Sequence, residues 1–292
     1  MIYFSLPNHL ENFHLNTFIY GLSRSHPNYF KDKISFYNYA ISFPYLSWNG
    51  GSNNNAGPGV YYNTMLEFGQ NLVLPGVINC ANVLLEDYDF YDCQGQTILE
   101  IFNNGSNIIE ISSIPFKEQI ENKYPNYRYK FSKQADLITE FTPEILEAIH
   151  NQPEFLYIGI PDKYSRNLGW LKNLGSKRKL EITVNPICDF NCQQRDVCLL
   201  KEHQNQLDYS GEFHCENCKK HIDNFNLSNM LTIEEIKKSY LPIGINHFTF
   251  APSVSRKSDD WSSLYINYFI KPEYQVTVLQ MLGSSFRKGF QI

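Results

Sequence analysis

Residues 107–132 read NIIEISSIPFKEQIENKYPNYRYKFS. The stretch holds two short β-branched and aromatic runs, Ile108–Ile111 and Arg128–Phe131, on either side of a helix-like segment over Phe116–Lys123. Runs of four to eight apolar residues bounded by turn-forming residues are the mark of buried strands. Two such strands joined by a helix make a parallel crossover unit, and its repetition predicts an α/β fold with a parallel sheet.

The pattern extends in both directions. Upstream, the sequence predicts strands over Ile2–Ser5, Ala40–Phe43 and Val77–Cys80; downstream, over Phe155–Ile160, Leu180–Val184 and His247–Phe250. Helices are predicted over Tyr61–Leu72, Gln94–Asn103, Pro143–His150, Tyr164–Asn173 and Ile233–Tyr240. Thr142-Pro143-Glu144 and Thr232-Ile233-Glu234-Glu235 are good helix starts: each Thr can cap, and the acids face the positive helix end. Eight strands alternating with helices predict a (β/α)8-type, TIM-like barrel as one domain over residues 1–292, with an open doubly wound sheet as the rival. No dinucleotide fingerprint or phosphate loop follows an early strand, which counts against the rival. Polar loops are expected over Ser47–Gly59 (SWNGGSNNNAGPG), Lys201–Gly211 and Ser253–Ser263.

Five of the seven cysteines, Cys188, Cys192, Cys198, Cys215 and Cys218, fall between the last two predicted strands, in a cysteine-rich insertion over residues 186–225. Thiolates spaced this way can converge on a soft-ligand centre, either a 4Fe–4S cluster or zinc. The spacing matches neither a two-knuckle zinc ribbon nor a ferredoxin run. The expected site therefore combines Cys215 and Cys218 with two of the upstream trio, with His214 as a substitute ligand. The strand Leu180–Val184 leads directly into Cys188, which places the centre at the C-terminal mouth of the barrel, where this fold does its chemistry.

Hydrophobic residues make up 42 % of the chain and aromatic residues 15 %, enough for a large core, and the net charge is −5. No basic block gives a broad nucleic-acid footprint. No apolar run approaches the about 20 residues of a membrane span, and the first residues do not read as a signal peptide, so a cytoplasmic protein without a membrane partner is expected. In that compartment clustered cysteines bind metals or do redox work more often than they form disulfides.

Three further motifs are candidates. Trp48 and Asn49, followed by two glycines, suit close approach to a flat cofactor or base. Asn79 and Cys80 end the third strand, and either can face a pocket, although a buried cysteine is the commoner outcome. Asn79, Asn185 directly after the seventh predicted strand, and His247 on the eighth are candidate catalytic groups, and Cys80 joins Trp48 and Asn49 as a candidate cofactor contact. Glu86, Asp87 and Asp89 read as a solvated acidic loop. There is no GxSxG elbow and no HExxH motif.

Three runs, KLEITVNPICDFNC (179–192), FHCENCKK (213–220) and YLPIGINHFTF (240–250), together resemble the collagenase-like peptidase family. The resemblance covers about a quarter of the chain. It implies a barrel with a 4Fe–4S cluster on Cys188, Cys215, Cys218 and either Cys192 or Cys198. It also implies oxygen-independent hydroxylation of RNA or of a small molecule, or, for other members, peptidase activity. The chain departs from the family where Thr249, Phe250, Ala251 and Pro252 stand in place of Lys-Ile-Glu-Gly. That departure favours a second reading, a non-catalytic barrel with a structural metal used as a binding or accessory module. The Trp-Asn-Gly-Gly and Asn-Pro-x-Cys motifs are also similar to those of uncharacterised bacterial and phage-borne proteins.

Overall fold

The computed structural model describes residues 1–7, 9–43, 46–50, 72–186, 192–208, 230–251 and 258–287. Eight parallel strands run β1 (Ile2–Leu6), β2 (Ile34–Ile41), β3 (Gly76–Cys80), β4 (Ile108–Ile111), β5 (Arg128–Phe131), β6 (Phe155–Gly159), β7 (Leu180–Thr183) and β8 (His247–Thr249). They hydrogen-bond in sequence order and close into a barrel, with Tyr3 of β1 in register with His247 of β8. This is the TIM-like barrel expected from the alternation of strands and helices.

Strand periodicity divides the side chains into two sets. Ile2, Phe4, Ile109, Ile111, Tyr129, Phe131, Ile182 and Phe248 are buried in a core shared with apolar residues of the surrounding helices, such as Leu15, Ile19, Phe116 and Phe269. The alternate set points into the barrel. There Glu110, Lys130, Glu181, Thr183 and Thr249 line a cavity at the strands' C-terminal ends.

Helix starts follow local chemistry. Ser113 accepts from the Phe116 amide, so the helix begins at Ile114, two residues before the predicted start, and runs to Lys123. Thr142 caps Pro143–His150. Thr232 and Glu235 form a reciprocal capping box at Ile233–Glu235, which continues as a wider turn over Ile236–Tyr240. The predicted helix over Tyr164–Asn173 is two pieces, Asp162–Ser165 and Leu168–Asn173. Asn167 separates them by capping the second through the Trp170 amide.

Two predicted loops are corrected. Lys201–Asp208, expected as part of a polar insertion, belongs to the helix Arg195–Asp208. The segment from Ser258 onward, expected as loop, begins the helix Ser258–Phe269. The helices Phe13–Ser25 and Pro272–Arg287 were not predicted. β2 starts at Ile34 rather than Ala40 and ends before Phe43. The predicted helix over 61–71 lies outside the described residues, as does the Gly/Asn-rich stretch after Gly50. Among the described residues no helix is long and apolar enough to cross a membrane.

Candidate active site

The middle of the barrel interior is ionic. Glu110 on β4, Lys130 on β5 and Glu181 on β7 bring three charges together, with Lys130 Nζ 3.3 Å from Glu110 Oε2 and ion-paired to Glu181. The Tyr37 hydroxyl donates to Glu181, and Ser132 Oγ donates to Glu110 Oε1 at 2.9 Å. Burial acts to lower the Lys130 pKa, but the two carboxylates outweigh it and the ammonium is held above its ordinary range. Burial and the charge of Glu181 likewise raise Tyr37, which stays a phenol and a donor.

A second group forms the rim. Lys133 Nζ lies 3.0 and 3.2 Å from the two oxygens of Asp162 and 3.0 Å from Thr183 Oγ1. Arg195 Nη2 reaches the same carboxylate at 3.1 Å. Burial pushes the Asp162 carboxyl up, but the charges of Lys133 and Arg195 and the hydrogen bonds it accepts bring it below its ordinary value. It is a carboxylate at neutral pH. The backbone geometry here depends on Gly159, where a Cβ would stand 2.9 Å from the Lys133 amide nitrogen. Gly50 plays the same part across the mouth, since a Cβ there would meet Gln134 Oε1 at 2.5 Å and the Ala81 backbone at 2.6 Å.

These two groups surround a cavity of about 130 Å³. The helix Arg195–Asp208 supplies one wall, through Arg195, Asp196, Leu199 and Glu202. The helix is docked by His203, which is fully buried; its Nδ1 accepts from the Val83 amide at 2.9 Å. Asn82 reinforces the contact by donating to the His203 carbonyl at 3.1 Å. Burial lowers the His203 pKa to about 4, so the imidazole is neutral and able to accept.

The residues singled out from sequence fall at several depths. Asn79 lines the cavity, with its amide engaged: Oδ1 accepts from the Gly50 and Ala81 amides at 3.0 and 3.2 Å, and Nδ2 donates to the Gly50 carbonyl at 3.2 Å. It shapes the wall. Trp48 is buried, not stacked over the mouth; its ring packs against Phe116 and covers Gly95, and Nε1 donates to the Asp89 carbonyl at 2.8 Å. Asn49 is buried and donates to the Phe43 carbonyl. Cys80 is buried in the core, where desolvation first and Glu110 second push its thiol up. Asn185 Oδ1 accepts from the Ala251 amide at 2.7 Å and so pins the chain after β8. His247 points into the barrel at its base, stacked on Tyr3 with ring centres 5.1 Å apart.

Of the five clustered cysteines, Cys192 and Cys198 are described, and Cys198 is buried on the helix that walls the cavity. Cys188, Cys215 and Cys218, with His214, lie outside the described residues. Among the described residues no three His, Cys, Asp or Glu side chains come together as a metal site. The metal-binding character of the excursion is therefore not part of the observed architecture.

Sequence reading missed Glu110, Lys130, Lys133, Asp162, Glu181 and Arg195. A signal was present. IIEI, RYKF and LEIT each place a charge inside a short strand that is otherwise largely apolar, where an inward position must find a partner.

No family model, curated protein or solved structure matches the chain.

Proposed function

We propose that this chain is a barrel enzyme that modifies a small polar molecule in the C-terminal mouth, assisted by a metal centre on the cysteine segment beside it. One observation carries the reading: the helix that bears Cys198 also sends Arg195 into the cavity, onto the carboxylate that holds Lys133. Cys198 and a wall of the charged mouth thus belong to one helix. Small size and an acidic lining favour a small molecule over RNA, whose phosphates seek cationic surfaces.

The donor set suits such a centre. Cys188, Cys215 and Cys218, with Cys192 or Cys198 as fourth ligand, would hold a 4Fe–4S cluster, with zinc as the alternative. A cluster supplies electron transfer or Lewis acidity when bound. The chain's own residues do the rest: Lys133, Arg195 and Glu110 bind and orient polar groups. Lys130 and the Tyr37 phenol hold Glu181 in place by an ion pair and a hydrogen bond, in a site shielded from water.

Two measurements test the two halves. Iron, sulfide and zinc analysis of anaerobically prepared protein, with its visible spectrum, tests the metal: colour with iron supports the cluster. Colourless zinc supports the competing reading, a non-catalytic barrel with a structural site, and then Cys188→Ala should unfold the protein. Intact thiols with no metal would remove the metal half. Ligand-observed NMR against small uncharged, cationic, anionic and zwitterionic compounds tests the mouth. Ala40 of β2 lines the cavity, so binding should disappear in Ala40→Leu, which fills it, and its survival there would place the ligand elsewhere.

A further inference from the structure

The two ionic groups of the mouth carry opposite surplus charge. In the middle of the barrel one ammonium, Lys130, stands between two carboxylates, Glu110 and Glu181. At the rim one carboxylate, Asp162, stands between two cations, Lys133 and Arg195. Among the described residues each group is thus one counter-charge short, in surroundings where uncompensated charge is costly.

In each group, the reachable member carries the surplus sign. Glu110 is 18 % exposed and its twin Glu181 only 1 %. At the rim Lys133 is 24 % exposed, while Asp162 is 9 % exposed. The cavity therefore offers a carboxylate below and an ammonium with a guanidinium above.

We infer that the mouth binds a small zwitterion, its ammonium directed down to Glu110 and its carboxylate up to Lys133 and Arg195. This rests on the mouth being a ligand site and adds the class of ligand. Such a molecule supplies both missing counter-charges at once. A lone anion would leave the lower surplus uncompensated, and it would face a lining that holds six carboxylates, Asp196 and Glu202 of the wall helix among them, against three cations. A lone amine would leave Lys133 and Arg195 sharing one carboxylate. A cavity of about 130 Å³ suits a ligand of about six to eight heavy atoms.

The test uses a ruler of straight-chain amino acids from glycine to 6-aminohexanoate, each with its N-acetyl and carboxamide derivatives, measured by calorimetry on the full chain at pH 7.5 and low salt. One chain length should bind at least tenfold tighter than either of its singly charged derivatives. Glu110→Gln and Lys133→Gln should each weaken it at least tenfold, and Thr183→Val, which keeps every charge, should weaken it less. Circular dichroism confirms that each variant is folded, and the wild-type series decides the matter if one is not. Equal binding of an N-acetyl or carboxamide derivative overturns the zwitterion while leaving the mouth as a ligand site. Silence of the whole series also overturns it, and the broader compound set with Ala40→Leu then decides separately whether the mouth binds anything.

Discussion

The base of the barrel interior and its mouth are built from the same inward positions and are chemically opposite. At the base, Tyr3 stacks on His247, Tyr37 meets Tyr157 with ring centres 4.9 Å apart, and His247 meets Tyr157 at 5.3 Å. From the middle upward the interior is a ladder of ions. The aromatic base closes the barrel from below and keeps the ions in a medium of low polarity, where their interactions are strong and their partnering obligatory. Tyr37 joins the two regions, because its ring belongs to the base and its hydroxyl to Glu181. The aromatic half supports the half that opens to solvent.

The sharpest way to break the contrast is to remove the central cation. Lys130→Met leaves Glu110 and Glu181 facing each other, and breaking a buried pair this way should cost about 3–5 kcal/mol in urea unfolding at pH 7. The triple variant Glu110→Gln, Lys130→Met, Glu181→Gln should recover much of it. A single variant as stable as wild type would show that the ladder contributes nothing to folding.

The wall helix gives the next effect. The unfolded chain protonates His203 near its ordinary value of about 6.5, whereas the folded chain resists until about 4. Between these values the unfolded state holds more protons, so this stabilisation is complete above pH 6.5 and is lost as pH falls toward 4. It amounts to about 3 kcal/mol. His203→Gln can still accept from Val83 and should flatten that part of the stability–pH curve. Parallel curves for the two proteins would show that His203 does not titrate with folding.

Tyr37→Phe tests the join between the halves. It removes one donor from a buried carboxylate and should cost about 1.5–2 kcal/mol with the aromatic packing intact. Thr183→Val at the rim takes one partner from Lys133 while leaving Asp162 in place, and should cost about 1 kcal/mol. If Thr183→Val proves the more damaging of the two, the rim rather than the middle carries the structural burden.

The barrel was legible because strand burial writes itself into short runs. Ile108–Ile111 and Arg128–Phe131 stand at their predicted bounds, and the other six strands lie within a few residues of theirs, apart from the early start of β2. The helix Arg195–Asp208 was not legible. Its residues are mostly polar, and what makes it a wall is a few contacts, Arg195 to Asp162 and His203 to Val83, with partners far away in the chain. The same is true of Trp48 and Asn185. A flat ring beside glycines suits a cofactor, and an amide after a strand suits a pocket, but each found its neighbour within the fold, Trp48 over Gly95 and Asn185 at Ala251.

By itself the sequence determined the alternation of strand and helix, the count of eight strands, and the placing of the cysteine-rich stretch between β7 and β8. These depend on local propensity and on periods of two and of about 3.6 residues, which adjacent residues carry. Only the tertiary structure decided that Glu110, Lys130 and Glu181 share one interior, that Lys133, Asp162 and Arg195 share one rim, and that the two groups carry opposite surplus charge. Those residues come from separate strands and connections, so their meeting depends on register and closure, which no local window of sequence contains.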